Sequence, residues 1–96
     1  MNDVIIAVNP EHSNELETLV HHYEEYSKVY KNDKFYFTIN DVHWEEEYGE
    51  LEEAIISFLH RIKKFAFIRM GDDINDLEVH GNLKDFLLEV SIRVDY

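Results

Sequence analysis

Residues 50–70, ELEEAIISFLHRIKKFAFIRM, carry two periodicities back to back, and the switch between them decides the fold. Leu51, Ala54, Ile55, Phe58, Leu59 and Ile62 recur at three- and four-residue steps, which places them on one stripe of an α-helix. Glu50, Glu52 and Glu53 fall in its first turn and Arg61, Lys63 and Lys64 in its last, each complementing the helix dipole. The run 65–70, FAFIRM, then reads as a strand. An amphipathic helix of this length covers one face of a sheet.

Upstream, Val4-Ile5-Ile6-Ala7-Val8 is a continuous apolar run, as expected of a strand buried on both faces. Asn9 and Pro10 suit an N-cap and a first helical position. Leu16, Leu19, Val20, Tyr23, Tyr26 and Tyr30 fall at helical spacing, which predicts one long amphipathic helix ending at Asn32-Asp33. Residues 34–39, KFYFTI, alternate with Phe35, Phe37 and Ile39 on one side. Asn40-Asp41 then reads as a two-residue hairpin turn, with a return strand from Val42 toward Tyr48 that Gly49 breaks. Beyond an acidic connection, Phe86, Leu88, Val90, Ile92, Val94 and Tyr96 alternate with Leu87, Glu89, Ser91, Arg93 and Asp95. That pattern predicts a half-buried strand running to residue 96.

The order is strand, helix, hairpin, helix, strand, then one or two more strands. It specifies an α+β protein of one domain over residues 1–96. The expected architecture is a two-layer sandwich: a mainly antiparallel sheet of four to six strands with two amphipathic helices on one face. Its first six elements match the split β-α-β order of ferredoxin-like folds. If residues 42–48 are not a strand, the alternative is a mixed sheet closed by a C-terminal hairpin.

Leu, Ile, Val and Phe together make up 31 of the 96 residues, well above the range of about 20% that marks disordered chains. With no cysteine, neither a disulfide framework nor a thiolate metal site is available. The apolar run 4–8 is too short for a signal segment or a membrane span, so the expected location is the cytosol.

Charge is the outlying property, with 21 acidic against 9 basic residues and a net charge of −12. That balance disfavours direct contact with nucleic acid, which requires Lys and Arg against phosphates. It disfavours anionic membranes for the same reason, and it draws in basic partners.

Residues 69–81, RMGDDINDLEVHG, resemble a metal loop at first sight. An EF-hand needs oxygen ligands at positions 1, 3 and 5, Gly at 6 and Glu at 12. A start at Asp72 puts Ile74 third and Leu77 sixth, and a start at Asp73 puts Leu77 fifth and Lys84 twelfth. Both registers fail. The Gly71-Asp72-Asp73 turn suits Mg²⁺-dependent phosphoryl transfer only with further carboxylates and a phosphate-binding loop, and no glycine-rich loop exists. The stretch therefore reads as a solvated turn, with Gly71 supplying an unusual backbone angle and Asp72, Asp73 and Asn75 capping locally.

His12, His21, His22, His43, His60 and His80 include no His-Glu-x-x-His pattern, and zinc needs three protein ligands. His21 and Glu25, one helical turn apart, make only a pair. Ser13, Ser27, Ser57 and Ser91 lack a nucleophile-elbow context. No metal, cofactor or catalytic residue is assigned.

The distribution of charge is more distinctive. No basic residue lies between Lys34 and Arg61, while Asp41, Glu45, Glu46, Glu47, Glu50, Glu52 and Glu53 supply seven negatives within thirteen positions. Helix dipole stabilisation accounts for the last three, but not for three adjacent repelling glutamates. Carboxylates on one face of a strand would recur every ~6.6 Å. Such an array suits a groove built for phosphates, with Trp44 and Tyr48 as rigid anchors. The expected contact set is Trp44, Glu45, Glu46, Glu47, Tyr48, Glu50 and Glu53. Asp72, Asp73 and Asp76 form a second patch, which extends the first if the fold brings both to one side.

In composition, and in the clusters 41–53 and 72–78, the chain resembles the small acidic inhibitors of phages and mobile elements, the DNA-mimic anti-restriction and anti-CRISPR proteins. The resemblance implies stoichiometric, non-enzymatic binding to the basic surface of a nuclease or other nucleic-acid-binding protein, blocking its access to nucleic acid. An immunity or antitoxin protein neutralising a toxin is a second expectation. A small metal-dependent phosphoryl-transfer enzyme is the third. Self-association into a homodimer is compatible with each.

Overall fold

The structure is a computed structural model and describes residues 1–44, 49–73 and 75–88. Its centre is β1 (Asn2–Val8), flanked by β3 (Lys34–Val42) and β4 (Phe65–Met70). Both neighbours run antiparallel to it, with Val8 opposite Phe35 on one side and Phe65 on the other. With β2 (Tyr26–Lys31) and β5 (Leu77–Gly81) at the edges, the sheet order is β2-β3-β1-β4-β5. Helices α1 (Ser13–Val20) and α2 (Glu50–Ile62) make the crossovers. The α+β class, the antiparallel sheet and the helical layer are as expected. The first six elements form the split β-α-β order of ferredoxin-like folds, and β5 adds a hairpin at one edge.

One apolar layer joins helices to sheet. Val4, Ile6 and Val8 of β1, Phe37 and Ile39 of β3, and Phe65 and Phe67 of β4 meet Leu16 and Val20 of α1 and Ile55, Phe58 and Leu59 of α2. Complete burial of one such side chain is worth about 1.5–3 kcal/mol. On the other face, Ala7 and Ala66 are small enough for Phe86 to settle beside them, with Leu83, Leu88 and Tyr36 around it. The Tyr36 hydroxyl donates to the Phe86 carbonyl at 2.6 Å.

Three expectations need correction. The first helix ends at Val20, and Tyr26–Lys31 is a strand. Tyr23, Tyr26 and Tyr30 are spaced as on a helix, yet Tyr30 is 57% exposed, so that spacing does not describe a buried stripe. The hairpin turn is Asn32-Asp33, both at positive φ (56° and 59°), the geometry of a type I′ turn.

Asn40-Asp41 is accordingly no turn. Val4 faces Ile39 and Asn2 faces Val42, so β3 carries one extra residue as a bulge, with Asp41 at φ 54°. Val42 therefore belongs to β3 itself, and His43 and Trp44 lie beyond it; residues 45–48 fall outside the described ones. Finally, the predicted C-terminal strand does not begin at Phe86. Lys84–Phe86 is a 3-10 turn closed by Leu87 at φ 56°, and residues 89–96 lie outside the described ones.

Helix α2 ends on a costly conformation. Lys63 has φ 69° and ψ −33°, and Lys64 N–H donates to Ile62 O at 2.8 Å, a one-residue γ-turn. A side chain there costs roughly 1–2 kcal/mol. Lys63→Gly should therefore stabilise the fold by about 1 kcal/mol, read as a raised urea midpoint at unchanged slope. A lowered midpoint would contradict this account.

Candidate partner-binding surface

The register of the sheet places both acidic segments at one end. Asn2 begins β1, opposite Val42 at the end of β3, and Asp3 lies opposite Met70 at the end of β4. The connection into α2 and the turn into β5 therefore leave the sheet on the same side, two strand spacings or ~9.6 Å apart. Glu50, Glu52 and Glu53 occupy the first turn of α2 at that end. The α1–β2 connection adds Glu24 and Glu25. Among these, Glu50, Glu53, Asp72, Asp73 and Asp76 are exposed, as are Asp3 and Asp41.

Asn2 ties the pieces together. Its side-chain amide donates to Val42 O at 3.4 Å and Trp44 O at 3.3 Å, while its Oδ1 accepts from Arg69 Nη1 at 2.8 Å. Arg69 also donates from Nε to Glu78 at 3.0 Å and from Nη2 to Asp76 at 2.8 Å. It thus pins the acidic turn to the start of β1.

Gly71 has a spatial role in this turn, and its φ is not positive. A Cβ there would lie 1.8 Å from Asp76 Oδ2, on the carboxylate that Arg69 holds. Asp73 Oδ1 accepts from Asn75 N–H at 3.0 Å, the local cap expected from sequence. Asp72 accepts from the Met1 amino group at 2.8 Å.

The opposite end is basic. Lys31 and Lys34 flank the β2–β3 turn, Lys63 and Lys64 link α2 to β4, and Lys84 follows β5. Acidic residues are fewer there: Glu11, Asp33 and Asp85. A chain of net charge −12 is thus strongly polarised along its strands.

Trp44 is not an exposed anchor. It keeps 5% of its surface and packs its ring 5.4 Å from Phe67, so it belongs to the core and leaves the contact set. Glu45, Glu46, Glu47 and Tyr48 lie outside the described residues. Sequence reasoning also passed over Glu24 and Glu25, which read as the polar face of a helix. They line a polar cleft of about 500 Å³ with Asp41, His22 and His43.

Tyr23 closes the back of that end by donating to Glu52 Oε2 at 3.3 Å. Burial and the neighbouring Glu52 carboxylate push its hydroxyl well above the ordinary tyrosine range. Its contribution to stability is full below the unfolded value of about 10. It is lost as pH climbs from there toward the raised folded value, because the unfolded chain releases its proton first. Tyr23→Phe should flatten that alkaline decline and cost about 1 kcal/mol near neutrality. An unchanged alkaline limb in a denaturation series would rule this out.

Among the described residues, no group of three or more His, Asp or Glu is arranged to hold a metal ion. Nor is any described helix long and apolar enough to cross a membrane. Compared with known proteins, the chain matches no family model, no curated protein and no solved structure.

Proposed function

We propose that the acidic end is a docking surface for a basic site on a nucleic-acid-binding protein or nuclease, and that occupying it blocks access of nucleic acid. The mode is stoichiometric inhibition of the anti-restriction or anti-CRISPR kind, without turnover. The observation that carries this is convergence. Carboxylates from β1, β3, the start of α2 and the β4–β5 turn share one end of the sheet, while five lysines gather at the other. Charge spread evenly would serve solubility equally well. Polarised charge orients an approaching partner.

Among the described residues the surface offers carboxylates with few cations beside them, and the one arginine there is spent internally on Asp76 and Glu78. The contact set is therefore Glu50, Glu53, Asp72, Asp73 and Asp76, with Glu45, Glu46, Glu47 and Tyr48 from the adjoining connection. Neutralisation of a basic toxin by an immunity protein would use the same chemistry, and the identity of the captured protein separates the two. The test is capture from a host lysate at low and at high salt. A basic nucleic-acid-binding protein retained at low salt and released at high salt is the expected result. Capture indifferent to salt would refute it.

A further inference from the structure

The two edges of the sheet are protected unequally. β5 has five residues, turns the charged Glu78 and the imidazole of His80 toward the helical face, and ends at Gly81 with φ +83°. Short length and inward-pointing charge are devices that discourage strand addition. β2 lacks them. It has six residues with no proline, glycine or bulge against β3, and among the described residues no strand pairs with its outer side.

Lysines on an edge usually repel added strands, but Lys28 is folded away. Its ammonium lies 4.8 Å from the centre of the Phe35 ring and ends on Glu17 at 2.9 Å, on the helical side. What the edge shows to solvent is Val29, 51% exposed, and Tyr30, 57% exposed.

The hairpin also determines which backbone groups are free. Lys31 pairs with Lys34 across the two-residue turn, so hydrogen-bonded pairs alternate from there: Lys31 with Lys34, Val29 with Tyr36, Ser27 with Thr38. Lys28 and Tyr30 therefore point their N–H and C=O groups outward. Electrostatics favours this side for self-association as well. Residues 26–36 carry Lys28, Lys31 and Lys34 against a single Asp33, in a chain of net charge −12. Two copies meeting here escape the repulsion that their acidic ends would exert on each other.

We infer that β2 pairs antiparallel with β2 of a second copy, on a twofold axis through Val29, joining two sheets into one of ten strands. In this register Lys28 and Tyr30 of one copy exchange backbone hydrogen bonds with Tyr30 and Lys28 of the other. Val29 meets its own counterpart in a close, non-hydrogen-bonded pair. Ser27 meets Lys31, and Glu25 lies on the diagonal from the same Lys31, near enough for an ion pair. An axis through Lys28 would set Lys28 against itself, and one through Tyr30 would oppose a strand to a turn. Because the two strands run in opposite directions, the dimer carries its acidic ends on opposite sides. It is bivalent toward whatever that surface binds. The pairing itself does not depend on what that surface binds.

A contact of this size belongs to the weak class. Sedimentation of the native protein from about 1 to 500 µM should show the mass rising from 11.5 kDa toward twice that value. Val29→Lys, at a half-exposed edge position, should keep the native circular dichroism and raise the dissociation constant at least about tenfold. The register has its own test, because the chain contains no cysteine. Opposed residues of a non-hydrogen-bonded pair have Cα atoms ~4.5 Å apart, within disulfide range. Mild oxidation should therefore cross-link Val29→Cys at least about ten times faster than Ser27→Cys. A monomer throughout the concentration range overturns the proposal. So does a dimer unaffected by Val29→Lys, or equal cross-linking at both positions.

Discussion

Lysines in place of Glu50, Glu53 and Asp73 should lower affinity for the captured partner by at least about 100-fold. Each exposed charge contact is worth up to about 1 kcal/mol, and reversal replaces an attraction with a repulsion of similar size. At about 0.5 kcal/mol for each attraction lost and each repulsion gained, three reversals remove about 3 kcal/mol, at tenfold per 1.4 kcal/mol. The loss should fall mainly on the association rate and shrink as salt rises. Glu50 and Glu53 also stabilise the start of α2, so their reversal costs the fold about 0.3–1 kcal/mol each, and native circular dichroism is the necessary control. Reversal of Glu45, Glu46 and Glu47 to Lys should weaken binding comparably without that cost to the helix. Lys63→Glu with Lys64→Glu, at the opposite end, should leave affinity unchanged. Wild-type binding by both acidic reversal sets would eliminate this surface.

The second large effect is on stability. Arg69→Met should destabilise the protein by about 3 kcal/mol, the low end for breaking an ion pair that is largely shielded from water. The Arg69 side chain is 12% exposed, and its two carboxylate partners are 49% and 21% exposed, so solvent compensates only in part. Without the guanidinium, Asp76 and Glu78 each lose an ion-pair partner and Asn2 loses a donor. At about 4–8 °C per kcal/mol for a domain of this size, the melting temperature should fall by roughly 12–24 °C. Arg69→Lys should recover little, since one ammonium cannot reproduce three contacts made in a plane. A change below about 0.5 kcal/mol on Arg69→Met would show that the turn is held by something else. Calorimetry with both variants decides the matter.

Local pattern announced α2, β1 and β4 because each has only one way to hide its apolar residues. Leu51 through Ile62 form a stripe that only a helix makes, and Val4 through Val8 leave no polar face at all. β2 was illegible for the opposite reason. Tyr26, Lys28 and Tyr30 satisfy strand alternation, while Tyr23, Tyr26 and Tyr30 satisfy helical spacing, and pairing with β3 decides between them. The same holds for Trp44, whose neighbours in sequence are acidic but whose neighbour in space is Phe67. Convergence of the 41–53 and 72–78 clusters depends on β1 lying between β3 and β4, a property of topology that spacing along the chain does not contain. Arg69 carried no local signal, because its three partners come from Asn2 and from the far arm of the β4–β5 hairpin.

The central position of β1 also sets a schedule for the protein's birth. β1 leaves the ribosome before the other strands of the sheet, yet its partners are residues 34–42 and 65–70. At about 5–20 residues per second, completing the second of these takes roughly 3–12 s after β1 is made. Throughout that interval the most apolar segment of the chain has an open backbone and no mate on at least one side. The acidic excess, whatever it later docks against, keeps such half-made chains apart while they wait.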